Sequence, residues 1–417
     1  MPRIFTPLRG RPMALLWSGL SLSAIGDQLY AVALTWIAVG VLGARAGYLA
    51  ALQSGVVLLA VLGVGRWADR WDARTSMIGA DLARAAILVV IVAAWMASGA
   101  VGVPQLAAAV IVLALGQAIF RPALQTLLPR LVEERALLPA ANALLDATER
   151  SARLLGPGLI GLLAGLIPVM HFLSLDALSF LASALAVVLI GRRYSNTSPQ
   201  ARAAEPVLAN IVRGVRATLA HRLLGFVFLT CGLINGAWYA AFYLVVPIFI
   251  RRLGVTGPGH SGMAAFGLVI SAYGLTNLAA NLVIGSRPMP RRPQRQMFGG
   301  DLLMGIAILL LIAAARLPAG WILPGLMAAA ALGAISGPMG DIPVAVLRQT
   351  RLDPADVAAA MRAYMAMANG GLLIAMLAVP SLISAFGLAA VLALCAGVFL
   401  VTAAVGLARF AGWVELA

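Results

Sequence analysis

Asp27 stands midway along an apolar stretch, in "SAIGDQLYA". An ionisable side chain placed at membrane depth is costly and marks a functional site by default. No Arg falls three or four residues to either side of it. The chemistry such a group suits is the loading and release of a proton. The plainer alternative is a structural carboxylate bonded to a neighbouring helix. Arg121, in "LGQAIFRPA", and Asp341, in "GPMGDIPVA", lie next to Pro122 and close to Pro343 at similar places in the two halves of the chain. They read as a gate pair, as groups flanking a cavity and joining Asp27 as proton-coupling candidates, or as side chains snorkelling to the interface. Asp81 with Arg84, Asp146 with Arg150, and Glu149 with Arg153 have helical spacing and read as structural pairs near one membrane face. Asp176 has no obvious partner in the sequence.

Polar and aromatic residues form a second set. Tyr273, Asn277 and Asn281 recur every four residues, as one stripe on a helix. Asn235, Trp238, Tyr239, Phe242 and Tyr243 cluster in the preceding apolar segment, and Tyr30 follows Asp27. Aromatic walls with a few amides suit an amphipathic solute, whereas interhelical packing accounts equally well for the Asn residues. His171 to Asp176, "HFLSLD", mimics the H-x4-D pattern of acyltransferases, but it lies in an apolar run with no phosphate-binding loop nearby. With neither an H-E-x-x-H nor a Walker loop, the sequence calls for no metal, no cofactor and no enzymatic reaction.

The elements that position these groups are membrane helices. Of 417 residues, 62% are hydrophobic and 11% charged, with mean hydropathy +0.97, where a soluble domain has about 25% charged residues. Cys231 and Cys395 sit in apolar runs and read as packed hydrophobes. A membrane span takes about 20 apolar residues. The pattern predicts twelve, at 13–42, 47–68, 75–98, 104–128, 138–166, 169–191, 223–250, 261–285, 297–315, 320–346, 359–385 and 387–409. The run from Met13 to Leu42 is too long for a signal peptide, despite Arg3, Arg9 and Arg11 before it. A polar segment at 192–222 divides the chain into six-helix halves, 1–191 and 223–417.

The formal net charge is +15, and all 30 basic residues are Arg. They gather on one side: the N-terminus, Arg66, Arg70, Arg74, Arg130, Arg135, the central linker, and Arg287 to Arg295, Arg348 and Arg351. The other side has Arg45, Arg251, Arg252 and Arg316. This skew sets topology, with both termini cytoplasmic, and it removes nucleic acid as a partner. The halves also repeat weakly. A shift of 220 sets Gly65, Met77, Gly79, Asp81 and Leu82 on Gly285, Met297, Gly299, Asp301 and Leu302. A shift of 221 sets Pro122, Arg130 and Leu131 on Pro343, Arg351 and Leu352. Two parallel six-helix halves around a midplane site is a transporter plan.

The loop "GRWADRWDAR", Gly65 to Arg74, resembles the signature of the major facilitator superfamily, G-x-x-x-D-R-x-G-R-R/K, through Gly65, Asp69, Arg70 and Arg74. Asp72 replaces the second Gly and is expected to take its left-handed turn; Ala73 replaces an Arg. "RLLGPGLIGLL" is similar to the G-P-x-x-G motif of that superfamily's proton-coupled antiporters through Gly156, Pro157 and Gly161, with a small-residue packing face as the alternative. "LSAIGDQL", "ADLARAAIL" and "FRPALQTLLPRLVEERALLPAANALLDAT" resemble the branch of bacterial macrolide-efflux and siderophore exporters. The usual span-four Arg ahead of a Gln-Gly pair is absent, and Arg121 follows the Gln instead.

The resemblance implies an all-α membrane protein of two pseudo-symmetric six-helix bundles that works by alternating access, with Asp69 as a cytoplasmic latch. It implies a monomer in the bacterial inner membrane whose partners are protons, the bilayer and an exported amphipathic solute, a drug, antibiotic or siderophore. A lysophospholipid or other lipid carrier is the alternative; a non-transporting receptor or an intramembrane enzyme is the remote one.

Overall fold

The computed structural model describes residues 3–63, 72–132, 134, 137–191, 194 and 207–413, and all regular elements among them are helical. Lipid offers no partner to a peptide group, so each span closes its hydrogen bonds within itself. The helices are α1 (Arg11–Leu42), α2 (Ala46–Gly63), α3 (Ala73–Ser98), α4 (Val103–Leu131), α5 (Leu138–Leu163), α6 (Met170–Ile190) and α7 (Val207–Ala220), followed by α8 (Arg222–Arg252), α9 (Gly262–Gly285), α10 (Pro293–Ala314), α11 (Ala319–Arg351) and α12 (Pro354–Arg409).

Among the described residues, nine stretches are long and apolar enough to cross a membrane, with α1 and α2 joined as one and α12 counted once. Gly387 breaks α12 at φ 83°, ψ 169°, a conformation that favours glycine, so 354–386 and 388–409 are two legs. The helix α5 is long enough to cross but carries Asp146, Glu149, Arg150 and Arg153. Counting it and separating the joined stretches gives the twelve spans expected from the sequence.

The helix starts follow local chemistry. Asp72 caps α3: its Oδ2 accepts from the Thr75 N–H and hydroxyl, each at 2.9 Å. Its backbone lies at φ −59°, ψ 126°. The left-handed turn expected there is therefore wrong, because the carboxylate serves two donors of α3 from an ordinary conformation. Asp353 caps α12 through the Ala355 N–H at 2.9 Å.

By internal contacts the chain forms two compact units, Met1–Leu42 with Val56–Ala204, and Gly43–Gly55 with Glu205–Ala417. The start of α2 thus groups with the second unit; there Gly47 lies against Pro380, Leu244 and Met376. In the first unit α1 packs on α6 and α5, while α3 packs on α4 and α6. Met13, Leu16, Met77, Phe120, Leu127 and Val187 fill one part of its core. In the second unit α12 packs on α8 and α10, and α11 on α9 and α10. Leu223, Met297, Phe298, Leu347 and Phe410 pack together there.

Within the segment expected to be a linker, α7 is an ordered helix lying on α12 and α8. Its buried Gly214 meets the backbone of Ala359, Arg213 pairs with Asp356 at 3.4 Å, and Arg362 donates to Asn210.

At Gly232 and Gly371, α8 and α12 meet backbone to backbone. A Cβ on Gly371 would fall on the Gly232 main chain, which cannot step aside. Gly371→Ala is expected to destabilise the second unit by about 1–3 kcal/mol, the usual cost of overpacking. Thermal unfolding of the detergent-solubilised protein measures it, and an unchanged midpoint would contradict the contact.

Candidate functional site

The polar centre of the first unit is assembled from four helices. Gly26 of α1 faces α6 so closely that a Cβ there would meet Asp176 Oδ1 and Ser179 Oγ. This brings the Asp176 carboxyl, fully buried at 0% exposure, beside the turn that carries Asp27. Ser179 Oγ lies 2.8 Å from the Asp176 carbonyl oxygen and 3.1 Å from its Oδ1. From α3, Asp81 and Arg84 form an ion pair with exposures of 0% and 4%. The Arg84 guanidinium lies over Phe180 at 4.2 Å and Phe120 at 4.9 Å. Gly116 of α4 leaves room for its aliphatic stem. A buried charge is tolerated when it is paired and faced by aromatic rings.

Asp27 itself is half-buried. The charged groups around it are Asp81 and Arg84 of α3, Arg121 of α4, Glu149 of α5 and Asp176 of α6. The sequence expectation of an isolated carboxylate therefore needs correcting. Its charged neighbours come from other helices, which spacing along α1 does not show.

Arg121 of α4 pairs with Glu149 of α5 at 3.2 Å, and Glu149 also with Arg153 at 3.7 Å. Arg150 bonds Asp146 at 2.8 Å. These pairs are exposed and individually contribute little. Tyr30 is buried one turn beyond Asp27. Gly156 of α5 is buried against Gln28 of α1, while Pro157 and Gly161 lie further along α5. Of the loop signature, Gly65, Asp69 and Arg70 lie outside the described residues. Arg74 is described, and it donates from Nε to the Val187 carbonyl at 3.1 Å and from Nη2 to that of Val188 at 3.0 Å. A cation on the last carbonyls of α6 is well placed against its dipole.

In the second unit, α8 is π-helical from Ala240 to Val245. The aromatic residues gather around that segment. Tyr239 and Tyr243 stack with centroids 4.9 Å apart. Phe242 meets Tyr273 of α9 edge-on at 5.1 Å, and Trp238 Nε1 donates to the Tyr273 hydroxyl at 3.0 Å. π-Helical turns are often found at functional positions. The amides of this unit are engaged: Asn277 Nδ2 donates to the Ala334 carbonyl of α11 at 2.9 Å. Asn281 donates to Asn277, and Asn235 to the Cys231 carbonyl at 2.8 Å. Asn277 thus does the interhelical work that the sequence left as an alternative.

Asp341 of α11 is exposed; Asp301 and Arg348 act on it. Arg348 lies 5.0 Å over the ring of Tyr364, and sequence reading singled out neither as a site residue. No cluster of potential metal ligands occurs among the described residues.

Helices of crossing length in two units, with ionisable groups inside them, define a polytopic membrane protein. Residues 16–295 match the model of the Major Facilitator Superfamily, and the chain belongs to that superfamily. It is a multi-pass secondary transporter and not an enzyme. Solved structures share its fold. A peptide transporter of the POT family in complex with sulfate superposes with TM-score 0.70 at 13% identity, over 97% of this chain and 94% of its own. An auto-inhibited POT family peptide transporter gives 0.70 at 13% over 98% of each chain. A POT family transporter in complex with 5-aminolevulinic acid gives 0.66 at 12% over 97% and 96%. At such identities the likeness is one of fold alone. No curated protein matches the chain.

Proposed function

We propose that this transporter exports amphipathic small molecules in exchange for protons, as the macrolide-efflux and siderophore carriers it resembles do, from a bacterial inner membrane with both termini cytoplasmic. The observation that carries the reading is Asp27, a half-buried carboxyl in α1 with charged groups of four other helices around it. Such a group is costly in a span unless it works. Asp341 is the next coupling candidate. The aromatic wall at the π-helical turn of α8 supports an amphipathic solute. Asp69, with Gly65 and Arg70, is the proposed latch.

Purified protein in acid-inside vesicles tests the reading. Ethidium or a macrolide is expected to accumulate and to be released by a protonophore. The solved neighbours are titled peptide transporters, and lipid carriers are the other alternative, so a dipeptide and a lysophospholipid form further arms. Accumulation of either in place of the amphipathic probes, or accumulation indifferent to the protonophore, would overturn the proposal.

A further inference from the structure

The helix α7 carries more apolar surface than its neighbours cover. Its buried residues, Gly214 and Thr218, define the side packed on α8 and α12. Turning around the helix from that side, at about 100° per residue, Leu208, Leu219 and Val212 come first, and Arg216 and Arg213 follow. Those three apolar residues are exposed, Leu208 at 68%. An apolar stripe bordered by arginines is the pattern of a helix that lies in a membrane interface.

The adjoining spans fix the depth of this stripe. One residue, His221, joins α7 to α8, and its extended backbone at φ −95°, ψ 114° turns the chain there. The end of α7 then lies on the first turn of α8: a Cβ on Gly225 would stand 3.3 Å from the Leu219 Cα. Further back, Gly214 meets Ala359, and Asn210 accepts from Arg362, both near the start of α12 at Pro354. The helix α7 is thus held at the level where two spans enter the bilayer.

Side chains mark the same level independently. Arg222 shares a face of α8 with Leu229 and Leu233, which are exposed within the span. That face meets acyl chains, so Arg222 stands where they give way to headgroups. Trp413 packs edge-on to His221 with centroids 5.8 Å apart, and tryptophan gathers at that boundary. Arg213 is offset by Asp356. Arg216 and Arg222 are exposed and pair with no carboxylate among the described residues.

We infer that α7 is a membrane-interface helix, with Leu208, Val212 and Leu219 in the acyl boundary and Arg216 and Arg222 on the phosphates of anionic phospholipid. Two cations beside an apolar stripe match a phosphate above acyl chains. Each is expected to contribute about a fivefold preference for anionic over zwitterionic lipid. The inference is independent of the solute carried.

The test uses the full chain in vesicles of phosphatidylcholine with phosphatidylglycerol. The native Cys231 and Cys395 are buried, so nitroxide labels are placed through Leu208→Cys, Leu219→Cys and, on the arginine edge, Ala209→Cys. Paramagnetic resonance compares collisions with oxygen, which concentrates among acyl chains, and with a nickel chelate, which stays in water. The labels at 208 and 219 are expected to favour oxygen, and the label at 209 the chelate. Preference for the chelate at 208 and 219 would overturn the interfacial placement. Shielding from both agents would show protein covering the stripe, and dipolar broadening would show a second copy of the chain there; either result overturns it too. Native mass spectrometry of protein released from the same lipid mixture reads the lipids retained. Arg216→Gln with Arg222→Gln is expected to lose most of the preference for phosphatidylglycerol, with circular dichroism checking the fold. An unchanged preference would overturn the two arginines as the phosphate site.

Discussion

Asp27→Asn protein in vesicles is expected to exchange substrate down its gradient and to lose uphill accumulation. One pH unit corresponds to about 1.4 kcal/mol per proton, so one-for-one exchange supports roughly tenfold accumulation per unit of imposed gradient. The variant cannot take up the charge that couples the two flows, and its accumulation ratio should fall to that of protein-free vesicles. The aromatic residues of α8 and α9 belong to the second unit, so substrate affinity should stay within about twofold of wild type, a difference smaller than RT. Flux under a pH gradient and binding by dye fluorescence are the two measurements. Full gradient-driven accumulation by the variant would reject Asp27 and turn attention to Asp341.

Asp81→Ala should damage the fold more than any other single change in the first unit. It leaves Arg84 buried with its charge unmatched between Phe120 and Phe180. Breaking one side of a buried pair costs about 3–5 kcal/mol, whereas replacing both partners with apolar groups is often close to neutral. The single variant should therefore show a strongly lowered unfolding midpoint, and Asp81→Ala with Arg84→Met should recover most of it. Equal midpoints for the single variant and wild type would show that the pair is not a structural anchor.

The helices were largely legible in the sequence because lipid imposes length and apolarity on each span, and both are written locally. Asp27 was legible for the same reason, as the lone carboxylate in α1. What surrounds it was not. Asp176 lies far along the chain and meets α1 through Gly26, a contact with no mark in either helix alone. Asp81 and Arg84 were recognisable as a pair by spacing, but their burial depends on Phe120 and Phe180 from two further helices. The internal repeat sets α3 on α10 through Asp81 and Asp301. It also places Met304 where α3 has Arg84, so the second unit holds Asp301 without that counter-charge. The helix α7 could have been found: Gly214 and Thr218, its buried residues, are one helical turn apart within an amphipathic stretch. The loop of Gly65, Asp69 and Arg70 lies outside the described residues, and its role stays a proposal.

The π-helical turn at Ala240–Val245 has a mechanical consequence. Its hydrogen bonds close five residues back instead of four, so α8 holds one surplus residue, worth about 100° of winding. Every N–H in the turn still closes on a carbonyl of the same helix, so the surplus leaves no peptide group bare in lipid. Tyr239 and Tyr243 border and occupy the turn, so the offset in winding falls where the aromatic wall stands. Those rings therefore sit around the helix axis at angles that an unbroken α-helix of the same sequence would not give them.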